Sequence, residues 1–118
     1  RIRIVGLSSD RGVVKVAVYR SKHTYTTRHG SFRKAVLPIT DGSSEWLLED
    51  LPYGEYAVMF YHDRNANGSL DRNRLGIPVE PFGFSNNARP RLGPPPFERV
   101  KFGLDTEAAT IEIRAQST

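Results

Sequence analysis

The chain has 118 residues, 38% of them hydrophobic and 25% charged, with 10 Gly and 8 Pro; that is the size of one domain, able to bury about two-thirds of its unfolded surface and too apolar for disorder. It has no cysteine, which excludes disulfides, thiolate metal sites and cysteine nucleophiles, and its longest apolar runs, such as 56–61, fall far short of the roughly 20 residues that cross a bilayer as a helix. The 17 Lys and Arg against 13 Asp and Glu give a net charge of +4, a modest basic excess that suits anionic polysaccharide, lipid headgroups or nucleic acid without choosing among them.

Period-two alternation dominates and no long stretch repeats its apolar positions at helical spacing, so the predicted fold is all-β. Ile2, Ile4 and Leu7 alternate with Arg1 and Arg3 in a first strand. The turn-forming run Ser8-Ser9-Asp10-Arg11-Gly12 then predicts a hairpin into the second. There Val14, Val16 and Val18 share one face and Val13, Lys15, Ala17 and Tyr19 the other, the pattern of a central strand with both faces covered. Segment 21–31 is polar and reads as an exposed loop or edge hairpin ahead of a strand over 32–39. After the Asp41-Gly42-Ser43-Ser44 turn, 45–51 is apolar around Trp46, which reads as core, and Leu51-Pro52-Tyr53-Gly54 makes a tight turn. The clearest strand follows: Tyr56, Val58, Phe60 and His62 point one way, and Ala57, Met59 and Tyr61 the other. Over 63–96 alternation stops, a span that compact domains leave without strands only when it is functional or braced. It resumes over 97–104 and 110–114. About seven strands at this spacing predict a single β-sandwich, immunoglobulin-like in architecture, over residues 1–118.

The brace is predicted where the long loop begins. In Asp63-Arg64-Asn65-Ala66-Asn67-Gly68-Ser69-Leu70-Asp71, side-chain oxygens recur at every second position, and a hard cation such as Ca²⁺ wants about six to eight oxygens around it. Gly68 permits the sharp bend that turns the Ser69 carbonyl inward. The twelfth position, where an EF-hand needs a bidentate Glu, is Arg74, so the loop is not an EF-hand but a nine-residue form between strands. Asp63, Asn65, Asn67, Ser69 and Asp71 are the expected ligands, with Glu80 in reserve, returned by the Gly76-Ile77-Pro78 bend. Two formal charges make a weak site, on the order of 10⁻⁴ to 10⁻³ M, suited to calcium-rich surroundings outside the cell. The plainer alternative is a chain of Asx-turns without metal.

The run HDRNANGSLDRNRLGIPVEPFGFSNN, followed by GPPPFE, together with the LPYGEYAV turn and strand, resembles the bacterial domain of unknown function 2141, and the resemblance covers nearly the whole chain. It carries over to His62, Asp63, Asn65, Asn67, Gly68, Asp71, Asn73, Gly76, Pro78, Glu80, Gly83, Ser85, Asn86 and Asn87; residues 20–45 follow no such pattern. The resemblance implies a secreted or periplasmic, prealbumin-like β-sandwich whose leader has been removed, with no assigned activity.

His23, His29 and His62 lie in unrelated settings. His62 reads as a strand-end histidine bonded to loop backbone rather than as a base or metal ligand. Gly83-Phe84-Ser85-Asn86-Asn87 lacks the second glycine of a nucleophile elbow, so no enzyme is predicted and a hydrolase is the least favoured reading. Phe82, Phe84 and Phe97 are expected to plug the long loop onto the sandwich. Arg89, Arg91 and Arg99 are candidate anion binders, and no motif of a nucleic-acid fold accompanies them. The expected function is a non-catalytic calcium-binding module that takes a polysaccharide or another protein at the cell envelope. The alternative is a subunit of an extracellular assembly that pairs through an open sheet edge.

Overall fold

The computed structural model describes residues 1–64 and 80–116. Its strands are β1 (Ile2–Val5), β2 (Val13–Tyr19), β3 (Arg33–Leu37), β4 (Ser44–Trp46), β5 (Gly54–Asp63), β6 (Phe82–Phe84), β7 (Phe102–Leu104) and β8 (Ile111–Arg114), with short helices α1 (Lys22–Thr27) and α2 (Phe97–Val100). The chain is thus mostly β, as its alternation predicts. One sheet runs β4-β1-β8, and the other runs β3-β2-β5-β6 with β7 also on β5.

Two faces of the larger sheet are covered, and each has its own apolar cluster. On the inner face Val14, Val16, Val18, Tyr56, Val58 and Phe60 meet Ile2, Ile4 and Ile113 of the smaller sheet. On the outer face Tyr19 and Ala57 pack with Tyr25, Phe82, Phe84, Phe97 and Val100. The alternation in β2 and β5 explains why both are central: each supplies apolar side chains to both sides. Trp46 is partly buried against the inner cluster. Phe82, Phe84 and Phe97, expected to pin the long excursion, all lie in the outer cluster.

The hairpin expected between the first two strands does not form. β1 is flanked by β4, antiparallel, and β8, parallel, so both of its edges are filled and the chain must change sheets. The Asp10 carboxylate accepts the backbone N–H groups of Asp41 at 3.1 Å and Gly42 at 2.9 Å, and the Leu7 N–H donates to the Gly42 carbonyl at 3.0 Å. Those bonds tie the crossover to the β3–β4 turn rather than folding it back on β1.

Two helices also replace predicted loop and strand. Ser21 caps α1, accepting the Thr24 N–H at 3.2 Å, and Arg28 ends it in the left-handed region at φ 60°, a C-terminal device. Tyr25 is 2% exposed, and its hydroxyl donates to the Pro95 carbonyl at 2.7 Å. Burial raises its pKa, against the lowering effect of the Arg28 guanidinium. In the expected strand 97–104, the first part is α2 and only Phe102–Leu104 pairs, with β5. Likewise, 45–51 contributes a strand only as far as Trp46.

Candidate functional site

The root of the predicted calcium loop is the C-terminal end of β5. Its partners are β2 on one edge, where Val14 faces His62 and Val13 faces Asp63, and the return of the chain at Pro81 on the other, whose carbonyl accepts the His62 N–H at 2.8 Å. The β1–β2 crossover closes over this end. A side chain at Gly12 would place its Cβ 2.1 Å from the Asp63 carbonyl oxygen, and Gly12 itself sits at φ +76°, so only glycine lets the backbone pass there.

The side chains at this end divide by the alternation of β5. His62 points inward and is fully buried. Its Nε2 lies 2.6 Å from the Arg11 carbonyl oxygen, which can only accept, so Nε2 is the donor of this bond. Its Nδ1 is buried and has no hydrogen-bond partner among the described residues. The expectation of a strand-end histidine bonded to loop backbone therefore matches the geometry.

Asp63 lies on the opposite side of the strand and is also fully buried, and Glu80, at the far end of the excursion, is 3% exposed. The two ends meet, for Glu80 Oε2 accepts the Arg64 N–H at 2.7 Å. Both carboxylates act on the same phenol: Tyr61 has its pKa raised by burial first, and then by the negative charges of Asp63 and Glu80. Buried carboxylates need donors or cations, so this end of the molecule is built for positive charge or N–H groups. Of the other predicted ligands, Asn65, Asn67, Ser69 and Asp71 lie outside the described residues. No group of three His or carboxylate side chains suited to a metal comes together among the described residues alone.

Beyond β6 the sequence Ser85-Asn86-Asn87 forms a kinked 3-10-type turn with Asn86 and Asn87 in the left-handed region. β7 pairs with Gly54–Tyr56 of β5, and β6 pairs with 59–61, which leaves a gap at Val58 on that edge. The buried Ser85 hydroxyl fills it, accepting the Val58 N–H at 3.0 Å and donating to the Val100 carbonyl at 2.6 Å. Asn86, held at φ 63°, donates from Nδ2 to the carbonyls of Arg99 (3.3 Å), Val100 (3.2 Å) and Lys101 (2.8 Å) at the end of α2. Asn87 Oδ1 accepts the Arg114 N–H of β8 at 2.9 Å. The three polar residues thus join β5, α2 and β8.

This join also gathers the candidate anion binders. Arg89, Arg91 and Arg99 line one cleft of about 440 Å³, together with Asn86 and Asn87. A larger cleft of about 800 Å³ opens at the other end of the two sheets, between the segments around Leu48 and Ala108.

The model of the family described as "Uncharacterized protein conserved in bacteria (DUF2141)" matches residues 2–112. The chain belongs to this family. The matched residues take in β1 to β7, the start of β8 and the polar turn at 85–87. No curated protein and no solved structure matches the chain. Within the family pattern, His62, Asp63 and Glu80 sit at the loop root, while Ser85, Asn86 and Asn87 have the joining roles described above. Gly83 is explained too: a Cβ there would stand 2.2 Å from Cε1 of the Phe60 ring. Asn65, Asn67, Gly68, Asp71, Asn73, Gly76 and Pro78 lie outside the described residues.

Sequence reasoning missed the hydrogen bonds of the polar turn and the unpartnered His62 Nδ1. One signal for the turn was present: three consecutive short polar residues between Phe84 and Ala88, both of which are buried, mark a place where side chains stand in for backbone partners.

Proposed function

We propose that this chain is a non-catalytic, extracytoplasmic binding module: one β-sandwich of prealbumin-like type whose long loop folds around a single Ca²⁺ and which takes a polysaccharide or protein at the bacterial envelope. The observation that carries the reading is the return of Glu80 to the root of the loop. Glu80 Oε2 accepts the N–H of Arg64, the residue after Asp63, which supports Glu80 as the reserve carboxylate for a pattern whose twelfth position is Arg74. Asp63 and Glu80 fit a hard cation by donor chemistry, and Asn65, Asn67, Ser69 and Asp71 would complete the shell. Bound calcium would neutralise the carboxylates and fix the loop's two ends together. The non-catalytic reading is supported by His62, whose Nε2 is committed to a backbone carbonyl, and by the exposed positions of His23 and His29.

The second reading, a subunit of an assembly, draws on β3, an edge strand that leaves Val36 59% exposed. Arg33 and Lys34 on the same strand are the kind of charge that discourages edge pairing, so the binding module is preferred.

Thermal melting with and without calcium tests the proposal. A ligand that binds only the native state raises the midpoint by mass action, so millimolar calcium should raise the midpoint of the natural sequence and not that of Asp63→Ala. Magnesium should raise it less, since it demands near-octahedral geometry. No shift in the natural sequence, or an equal shift in the variant, overturns the calcium site.

A further inference from the structure

We propose that Arg89, Arg91 and Arg99 form a binding site for a tetrahedral oxyanion, a phosphate or sulfate ester carried on a saccharide. The proposal rests on the chain's being a binding module but not on its calcium loop.

Arg89, Arg91 and Arg99 line one cleft. Arg89 and Arg91 flank Pro90, whose ring fixes φ, and the Arg91 N–H closes a tight turn onto the Gly93 carbonyl at 3.1 Å. Arg99 comes from a different element, the end of α2. Asn86, which lines the same cleft, bonds the Arg99, Val100 and Lys101 carbonyls and so ties the end of α2 to the turn that precedes Arg89. Arg89 and Arg91 are exposed and Arg99 is partly buried, so the heads reach solvent while their spacing is set by ordered backbone.

The charge around the cleft is one-sided. Among the described residues none of the three arginines makes an ion pair. The neighbouring acid, Glu98, is taken by Lys22 at 3.4 Å, and Lys101 pairs with Glu55 at 3.1 Å. Like charges around one concavity repel, and that repulsion is relieved only when an anion enters. A single carboxylate has two oxygens and satisfies one guanidinium fork, whereas a phosphate or sulfate group presents oxygens in three directions and accepts from several forks at once. At about 440 Å³ the cleft is within the range of small-ligand sites and has room for a group attached to the oxyanion. No aromatic ring is among its lining residues, so a nucleobase has no surface on which to stack.

The test uses the full chain in calcium-containing buffer, titrated with glucose 6-phosphate, inorganic phosphate, galacturonate, glucose and a single-stranded oligonucleotide, and followed by calorimetry and by backbone amide resonances. Glucose 6-phosphate should bind, shift the amides of Asn87, Arg89, Arg91 and Arg99, be displaced by inorganic phosphate, and weaken as salt rises. Its affinity should fall at least about tenfold in Arg91→Ala/Arg99→Ala, where two charge-assisted donors are lost, while the melting temperature without ligand stays the same. Asp63→Ala should keep this binding even as it loses the calcium shift, which separates failure of this site from failure of the calcium reading. If inorganic phosphate binds as tightly as the sugar phosphate, the saccharide ester is overturned. If galacturonate or the oligonucleotide binds more tightly, or the double variant binds as well as the natural sequence, the oxyanion site is overturned.

Discussion

Along β5 the ladder partner changes from β7 to β6 between Tyr56 and Met59, and the Ser85 hydroxyl bridges the interval by bonding Val58 and Val100. A hydroxyl in this place serves backbone groups that no strand can reach, at the centre of the longest strand. Ser85→Ala keeps the volume nearly unchanged but strands the buried Val58 N–H, while the Val100 carbonyl keeps only its Asn86 donor, which costs about 1–3 kcal/mol. Denaturant melting should therefore show a lower midpoint with an unchanged slope. A change below about 0.5 kcal/mol, the size expected of an ordinary surface substitution, would remove Ser85 from this role. The same reasoning gives Gly83 its place: the Phe60 ring occupies the space of any side chain there, so glycine at this position serves packing against β5.

At the scale of elements, α1 and α2 depend on tertiary contacts, since helices of six and four residues are far below the length that is stable alone. Tyr25 is the link, its hydroxyl on Pro95 and its ring against Phe97 at 6.0 Å between centroids. Its pKa is raised above the ordinary tyrosine value of 10.0, so the unfolded chain ionises first. The stability this group contributes is complete below about pH 10 and is lost as pH rises through the folded value. Tyr25→Phe should cost about 1 kcal/mol at neutral pH through the lost hydrogen bond. It should also give a shallower fall of stability with pH above 10, leaving the share due to Tyr19 and Tyr61, which are raised by burial too. An identical alkaline slope in urea titrations would refute this role for Tyr25. These helices also mark the limit of what could be read from the chain. β2 and β5, with seven and ten residues, alternate long enough for their faces to be assigned residue by residue. A helix with Tyr25 as its one buried residue, or a strand of three such as β6, carries no period at all. The pairing of β1 was misjudged for a related reason: turn residues at 8–12 announce a change of direction, but not which sheet the chain enters next. At the candidate site, the nearness of Arg89 and Arg91 follows from their spacing. The arrival of Arg99 depends on three hydrogen bonds from Asn86 that no pattern encodes, and the approach of Glu80 to Asp63 depends on how the excursion closes.

For the molecule as a whole, the pairing of β1 with β8 sets the order of events. Ile2 faces Ile111 and Ile4 faces Ile113 in parallel register, a contact between segments far apart along the chain, and such topologies fold in about milliseconds to seconds. If this closure comes late, Ile113→Ala, which empties a fully buried position, should lower stability by about 2–5 kcal/mol and appear almost wholly as faster unfolding. Refolding slowed in proportion would instead put the β1–β8 contact in the nucleus. There is a consequence for synthesis. Ribosomes add about 5–20 residues per second, so several seconds separate the emergence of β1 from that of the strand that must lie beside it. During that interval Ile2 and Ile4 have one flank open, and the smaller sheet stays incomplete until β8 emerges to lie beside β1.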